Sequence, residues 1–317
     1  MPSLPSRDQF QGCLIGQAVG DALGAPYEGM PPEFIAQAGP AETIVTFPPH
    51  QTLRYTDDTQ MAVGLAETLI RHGTIREAEL MATFAAHYDV NRRYGFGARR
   101  LLQAHRDGED WQALAEHHFP GGSFGNGAAM RAAPVGLFFC HDLDAVADQA
   151  AASARPTHRH PLGIDGARLI ALSAAMAATM HPFDRSGFFG ELTRRSQTVE
   201  FRNQLEQAVS LDPDDPSPPP FGNGIEAHRS VVSSLVVFAA APDDFPKVLA
   251  RALSLGGDVD TLAAMACALC GARVGLDRIP MHLVALLEDG PEGRDFLLKL
   301  AGRLHAARGS QSASNRD

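Results

Sequence analysis

The spacing of apolar residues restricts this chain more than any other feature. They recur at every third or fourth position in segment after segment, with alanine and glycine filling many of the places between. In "MAVGLAETLI", Met61, Leu65 and Leu69 return every fourth residue, with Ala62 and Ala66 beside them. In "GARLIALSAAMAATM", Leu169, Leu172, Ala175 and Met176 repeat the pattern. Such spacing draws one stripe along a helix. It also predicts helices from Phe10 to Leu23, Ile75 to Tyr88, Val231 to Ala240, Phe245 to Leu253 and Phe296 to Ala307. Period-two alternation, the mark of a half-buried strand, is scarce, and its best instance is the short "ETIVTF" at 42–47. The chain is therefore read as all-α, with about a dozen helices in one compact domain over residues 1–306. The polar stretch "ARGSQSASNRD" at 307–317 is expected to be a flexible tail. Small residues at helical positions, as in "GCLIGQAVGDALGA", let helices approach closely. The prolines of "LDPDDPSPPPFGNG" at 211–224 forbid regular structure, and the segment is read as a surface loop.

Composition bounds the function. With 44% hydrophobic and 20% charged residues, the chain can bury a sizeable core. A formal charge of −10 argues against binding a nucleic-acid backbone, which needs a basic footprint. A small phosphorylated ligand stays open, because local dipoles or a metal outweigh net charge. The start "MPSLPSRDQF" lacks the basic-then-apolar layout of a signal peptide, and no run is read as approaching the ~20 apolar residues of a membrane span. A cytoplasmic, reduced protein without membrane partners is expected. Cys267 and Cys270 form a single CxxC within an alanine-rich helical pattern and are read as small core residues.

Two stretches carry the chemistry. "RYTDDTQMA" places Thr56, Asp57, Asp58 and Thr59 at a predicted helix start, and "GGDVDTLAAMACA" places Asp258, Asp260 and Thr261 at another. Aspartate and threonine are good N-caps, and acidic side chains suit the positive end of a helix dipole. One cap needs only one oxygen, however, and both clusters supply a surplus. Adjacent carboxylates repel unless a cation or proton lies between them. The donors are all oxygens, which suits Mg²⁺, Mn²⁺ or Ca²⁺ rather than zinc. If the two helix starts face each other, each carries half of one site for a pair of divalent ions, about 3.5–4 Å apart in two-metal centres.

Four further motifs accompany them. "GDALGAPYEGM" holds Asp21 and Glu28, where a solvated acid explains Glu28 as well as a functional one. "NRRYGFGARR" sets Gly95 and Gly97 among Arg92, Arg93, Arg99 and Arg100, and an exposed turn accounts for it equally. "FPGGSFGNGAAMRAAPVG" reads as a glycine-rich loop opening onto a helix, with backbone N–H groups suited to phosphate and with Phe119 and Phe124 placed to flank a base. "RPTHRHPLGIDG" offers His158 and His160 without another nitrogen ligand, which favours hydrogen bonding by His158 over metal binding.

Together "GQAVGDALGAPYEG", "RYTDDTQMA", "RRYGFGARR", "GSFGNGAAMRAAPVG", "THRHPLG" and "GGDVDTLAAMACALCGARVG" run in order from residue 16 to 275. The set resembles the ADP-ribosylglycohydrolase family, which includes dinitrogenase-reductase-activating glycohydrolase. The resemblance implies an all-α fold with two Mg²⁺ or Mn²⁺ ions in a cleft that cleaves the N- or O-glycosidic bond to ADP-ribose. By that resemblance Thr56, Asp57, Asp58, Asp258, Asp260 and Thr261 are metal ligands, with Asp57 and Asp58 also counted as catalytic. Glu28 matches the mobile family glutamate of acid–base work. Gly95 and Gly97 match a glycine flap, and Ser123, Phe124, Gly125, Asn126 and His158 match ligand-contacting positions. Phe119 departs by one residue from the family's aromatic position. "GSFGNG" and the flap look closest to the branch acting on serine-linked ADP-ribose, poly(ADP-ribose) and O-acetyl-ADP-ribose, so the expected partner is an ADP-ribosylated protein or O-acetyl-ADP-ribose. Arginines at the flap are expected to repel an arginine-linked substrate. A metal-dependent nucleotide phosphohydrolase and a non-catalytic ADP-ribose-binding relative are the rival readings.

Overall fold

The computed structural model describes residues 4–37 and 39–314, with side chains up to Arg308. Seventeen α-helices and four short 3₁₀ turns fill the described residues, which contain two isolated bridges but no strand. The fold class is as the apolar spacing predicts. The helices outnumber the expected dozen because several connections contain helices of only six or seven residues, such as Pro32–Gln37 and Trp111–His117.

"ETIVTF" is the clear departure from the sequence expectation, since it lies in a helix, Ala41–Thr46. Thr46 Oγ1 donates back to the Glu42 carbonyl (2.7 Å), and the two buried residues, Ile44 and Val45, are adjacent rather than alternate. An extended segment here would leave its backbone groups unpaired, because no neighbouring strand exists among the described residues to receive them. The stretch expected to be a tail continues the last helix, Arg294–Ser314, and residues 315–317 lie outside the described residues.

At the centre, Arg7–Gly24 lies against Val259–Val274. Ser6 starts the first of these helices with a reciprocal cap: its Oγ accepts from Gln9 N (3.2 Å), and its N–H donates to Gln9 Oε1 (2.9 Å). The seam between the helices is made of glycine. A Cβ on Gly12 would lie 2.3 Å from the Gly271 carbonyl oxygen, on Gly16 2.5 Å from that of Cys267, on Gly20 2.4 Å from that of Ala263, and on Gly24 2.5 Å from the Asp260 Cα. Contacts descend one helix as they ascend the other, so the helices are antiparallel, with backbone against backbone. Val259–Val274 is apolar on every side and buried, as a central helix must be. Cys267 and Cys270 are free and buried within it, as expected of core residues.

The helix Pro161–Thr179 corrects another expectation. By length and composition it could cross a membrane, yet 78% of its apolar window is buried inside this fold. The proline-rich stretch 211–224 joins Val199–Val209 to Ala227–Ala240 without regular structure, tied down by Arg251, which donates to the carbonyls of Pro213 (2.8 Å) and Asp215 (2.6 Å).

Two glycine substitutions test the seam. Gly20→Ala gains helix propensity of ~0.5–1 kcal/mol but drives a methyl group into the Ala263 backbone, which cannot swing aside, so overpacking of ~1–3 kcal/mol or more dominates. Gly190→Ala, at a helical site with no atom within 4 Å of the added Cβ, should be stabilising. Urea unfolding of both variants should give opposite signs, and a neutral Gly20→Ala would mean that the helices are not in backbone contact.

Candidate active site

The antiparallel seam sets the C-terminal end of the first helix beside the N-terminus of Val259–Val274, and Asp57–His72 docks onto the same end. Asp21, fully buried, makes that second junction: its carboxylate accepts from Thr56 N (2.9 Å), Thr59 N (3.1 Å) and Thr59 Oγ1 (2.6 Å). Gln17 adds donations to the carbonyls of Asp58 (2.9 Å) and Met130 (3.0 Å). Both acidic clusters therefore open into one cleft of about 320 Å³.

The local hydrogen bonds show that capping does not consume the carboxylates. Thr56 caps its helix, accepting weakly from Asp58 N (3.4 Å), and its hydroxyl donates to Asp58 Oδ2 (3.1 Å). Asp58 Oδ1 is buried without a hydrogen-bond partner. Asp258 occupies the other cap position but makes no side-chain cap bond. Its Oδ2 instead accepts from Asn126 Nδ2 (2.6 Å), which also donates to Ser230 Oγ (2.9 Å). Gly256 and Gly257 turn the chain into this helix with φ of +68° and +71°, a region that favours glycine. A Cβ on Gly257 would also lie 2.0 Å from the Asn223 carbonyl oxygen.

Gly257 clasps the loop that carries Glu28. Its carbonyl accepts from Gly29 N (2.8 Å), and its N–H donates to the Met30 carbonyl (2.9 Å). The Glu28 carboxylate itself is half-exposed at the cleft, 3.7 Å from the Arg93 guanidinium. Burial and Asp258 push its pKa up, with Arg93 opposing.

Five carboxyl groups (Glu28, Asp57, Asp58, Asp258 and Asp260) line the cleft against two guanidinium groups, those of Arg93 and Arg131. Burial, then Asp21, raises Asp57 to about 8. Burial, then Asp258 and Glu28, raises Asp260 to about 9, and Asp58 moves the same way for like reasons. Among the described residues no three side chains already stand grouped as a finished coordination shell. The donor chemistry nevertheless suits a hard divalent cation: the acidic donors are all oxygens, one buried oxygen is orphaned, and the negative charge exceeds what the protein compensates.

The remaining wall is the Gly-rich loop. Asn126 N donates to the Ile225 carbonyl (2.9 Å) and Ala227 N to the Phe124 carbonyl (3.0 Å), pinning the loop to the segment before Ala227–Ala240. Ser123, Gly125, Asn126 and His158 line the cleft, as do Gly95, Gly97 and Phe119. The Phe119 ring lies on Gly97, where a Cβ would come within 2.8 Å of it. Two residues of the sequence-derived set lie outside the lining. Thr56 is turned into its cap, and Phe124 is 45% exposed, edge-on to His160 at 5.6 Å. His158 makes a hydrogen bond as expected, through Nδ1 to Thr157 Oγ1 (2.7 Å).

Of the four flap arginines, only Arg93 reaches the cleft. Arg92 pairs with Glu288 and stacks on Tyr55, Arg100 pairs with Glu109 (2.8 Å), and Arg99 lies over the Phe96 ring. The expected barrier of four cations is therefore a single one, because the others find partners in their own surroundings. Sequence reasoning missed Arg131 and the bracing role of Asp21, and it did not foresee that the amide of Asn126, which lines the cleft, also holds Asp258. All three stand inside the motifs, yet nothing in their spacing distinguishes a residue that supports a ligand from one that touches it.

A family model described as ADP-ribosylglycohydrolase matches residues 2–314. ADP-ribosylhydrolase ARH3 of Mus musculus is 32% identical, the match spanning 87% of this chain and 86% of that protein. Its counterpart in Bos taurus is 31% identical over 87% of each. A solved structure titled "ADP-ribosylglycohydrolase-related protein complex" superposes with a TM-score of 0.72 at 26% identity, over 95% of this chain and 98% of that one.

The carboxyl cluster makes stability depend on pH in a defined direction. Asp57 and Asp260 bind protons more tightly folded than unfolded, where an aspartate titrates near about 3.9. Between that value and about 8 for Asp57 or about 9 for Asp260, the folded state carries protons that the unfolded state lacks. In chelator, stability should therefore be greatest at low pH and fall as pH rises through that window. Mn²⁺ or Mg²⁺ should raise the melting temperature most near the top of the window, where the carboxylates are charged; a cation at ~100 times its Kd adds about 2.7 kcal/mol. Asp57→Asn or Asp258→Asn should abolish the cation effect while the protein stays folded. A melting temperature flat with pH in chelator, or an undiminished Mn²⁺ shift in both variants, would contradict this account.

Proposed function

The chain belongs to the ADP-ribosylglycohydrolase family and is an ADP-ribosyl glycohydrolase, and from that premise we propose that it frees ADP-ribose from an oxygen-linked acceptor, using two Mg²⁺ or Mn²⁺ ions and Glu28. The observation that carries this reading is the meeting of both acidic helix starts with Glu28 in one cleft. Asp57, Asp58, Asp258, Asp260 and Thr261 would hold the ions, with Thr56 supporting them through its bond to Asp58. Cations bound there neutralise the carboxylates and polarise ligand oxygens.

The protein's own residues do the rest. Carboxylates around the anomeric carbon favour the oxocarbenium-like charge that develops as a glycosidic bond breaks. Glu28 moves the proton. Its carboxyl has a raised pKa, is half open to solvent and stands on a clasped loop, all of which suit a group that must gain and lose a proton at the reacting centre. The Gly95–Gly97 flap starts the helix Phe96–Arg106, whose first-turn N–H groups suit the pyrophosphate, with Ser123 lining the same cleft. Phe119 and Phe124 offer exposed rings to adenine, a contact worth roughly 1–3 kcal/mol per base in nucleic-acid complexes.

An ADP-ribosylated seryl peptide with Mg²⁺ or Mn²⁺ is the direct test. Release of intact ADP-ribose is expected, whereas AMP and ribose phosphate would instead identify a phosphohydrolase. Glu28→Gln should retain ADP-ribose affinity and lose about 10²–10⁴-fold in turnover; normal turnover with collapsed affinity would make Glu28 a binding residue.

The oxygen-linked preference rests on the likeness of "YGFG" and "GSFGNG" to the serine-directed branch, with Arg93 as the one flap cation facing the cleft. An arginine-linked adduct would need a partner for its guanidinium, usually a carboxylate fork. Serine-linked peptide should turn over faster than an arginine-linked peptide of equal length under one metal condition. The reverse order would overturn the subfamily reading and leave the family intact.

A further inference from the structure

Arg131 is fully withdrawn from solvent and makes no ion pair within reach of a carboxylate among the described residues. Its guanidinium donates to the carbonyls of Gly127 (3.2 Å) and Ser153 (2.8 Å) and to Thr157 Oγ1 (2.9 Å), and lies 4.7 Å from the centre of the Phe84 ring. Burial lowers its pKa to about 9, so it stays charged at neutral pH. A buried, unpaired charge is costly, and its bonds lead toward the ligand cleft.

The direction of those bonds follows from chemistry. A guanidinium only donates, so Thr157 Oγ1 accepts from Arg131 and keeps its own proton to give. The other partner of that hydroxyl is His158 Nδ1, at 2.7 Å. A cation behind the hydroxyl strengthens it as a donor. His158 is neutral, since burial and Arg131 both oppose the imidazolium and push its pKa down to about 3. With Nδ1 accepting, the ring's one proton sits on Nε2. That edge faces the Gly-rich loop: Nε2 would lie 3.4 Å from a Cβ on Gly125 and 3.3 Å from one on Gly127, and it has no protein partner among the described residues.

We infer that Arg131, acting through the Thr157 hydroxyl, is a positioning residue that fixes His158 as the Nε2–H tautomer, giving the cleft a donor for a phosphate oxygen or ribose hydroxyl of the substrate. The opposite tautomer would present a lone pair there, which repels a phosphate oxygen and can only accept from a ribose hydroxyl. The identity of the ligand rests on the ADP-ribose reading above, whereas the tautomer is a property of the free protein.

Long-range ¹H–¹⁵N spectra of histidine-labelled, ligand-free protein test this, with the His158 signal identified by its loss in His158→Gln. Wild type should show the Nε2–H pattern. Thr157→Val, which keeps the shape and removes the hydroxyl, should admit the Nδ1–H form and weaken ADP-ribose binding about tenfold, raising KM with little change in kcat. Thr157→Ser should restore both. Weakening that also extends to adenosine marks a ribose hydroxyl as the acceptor, and weakening confined to ADP-ribose marks a phosphate. An Nδ1–H pattern in wild type, or a folded Thr157→Val with unchanged tautomer and affinity, would overturn the inference. If Thr157→Val fails to fold, the wild-type and Thr157→Ser spectra still decide it. Failure of wild type to bind ADP-ribose, with the tautomer as expected, would defeat the functional reading and leave the positioning role standing.

Discussion

The contact between the two central helices governs the rest of this structure. Gly12, Gly16, Gly20 and Gly24 bring the backbone of the first helix onto that of Val259–Val274, at distances no side chain would permit. Because the helices run antiparallel, this contact puts the last turn of one beside the first turn of the other. The N-terminus of Val259–Val274 carries the positive end of its dipole. Asp258 and Asp260 stand at that end, and the Glu28 loop emerges from the helix opposite it. A wider separation would leave the same residues present but too far apart to act on one bond.

Asp21 extends the arrangement to the other acidic cluster. A buried carboxylate without a cation would ordinarily be a liability, and burial does raise its pKa to about 6. Donors from Thr56 and Thr59 offset much of that cost and lock the first turn of Asp57–His72 against the first helix. One helix thus positions both halves of the site, by backbone contact on one side and a hydrogen-bonded carboxylate on the other. The electrostatic strain among Asp57, Asp58, Asp258 and Asp260 is the consequence, and it is relieved by whatever positive charge enters the cleft. Sites poised for ligands commonly keep such strain, with surrounding packing holding the geometry.

Much of this is visible in the sequence, and the remainder is hidden for physical reasons. Helical spacing is legible because a buried stripe must repeat, and the acidic clusters because capping cannot use so many oxygens. The four-residue glycine repeat is likewise written in the chain, but which helix receives it is a long-range matter. "ETIVTF" misleads because β-branched residues prefer strands only where a partner strand exists. Arg92 and Arg100 misdirect for a related reason: a charge in a functional motif says nothing about its partner, and Glu288 and Glu109 lie far away in sequence or outside the motif. Arg131 is the least legible, since an arginine inside an apolar run gives no sign that it will be buried, unpaired by a carboxylate and wired to a histidine.

The treatment of Glu28 shows how the fold separates fixed parts from movable ones. The reciprocal bonds between Gly257 and Gly29 and Met30 tie its backbone directly to the start of Val259–Val274. Gly257 can make both because its φ is positive and its missing side chain leaves room for Asn223. The carboxylate, by contrast, is paired with Arg93 at 3.7 Å, with both side chains about half-exposed, a pairing that solvent screens strongly. The backbone on either side of Glu28 is thus held by hydrogen bonds, while its carboxyl group is only loosely paired. For the proton-carrying role proposed for Glu28, that combination supplies close registry with the carboxylates of the cleft together with a side chain open to solvent.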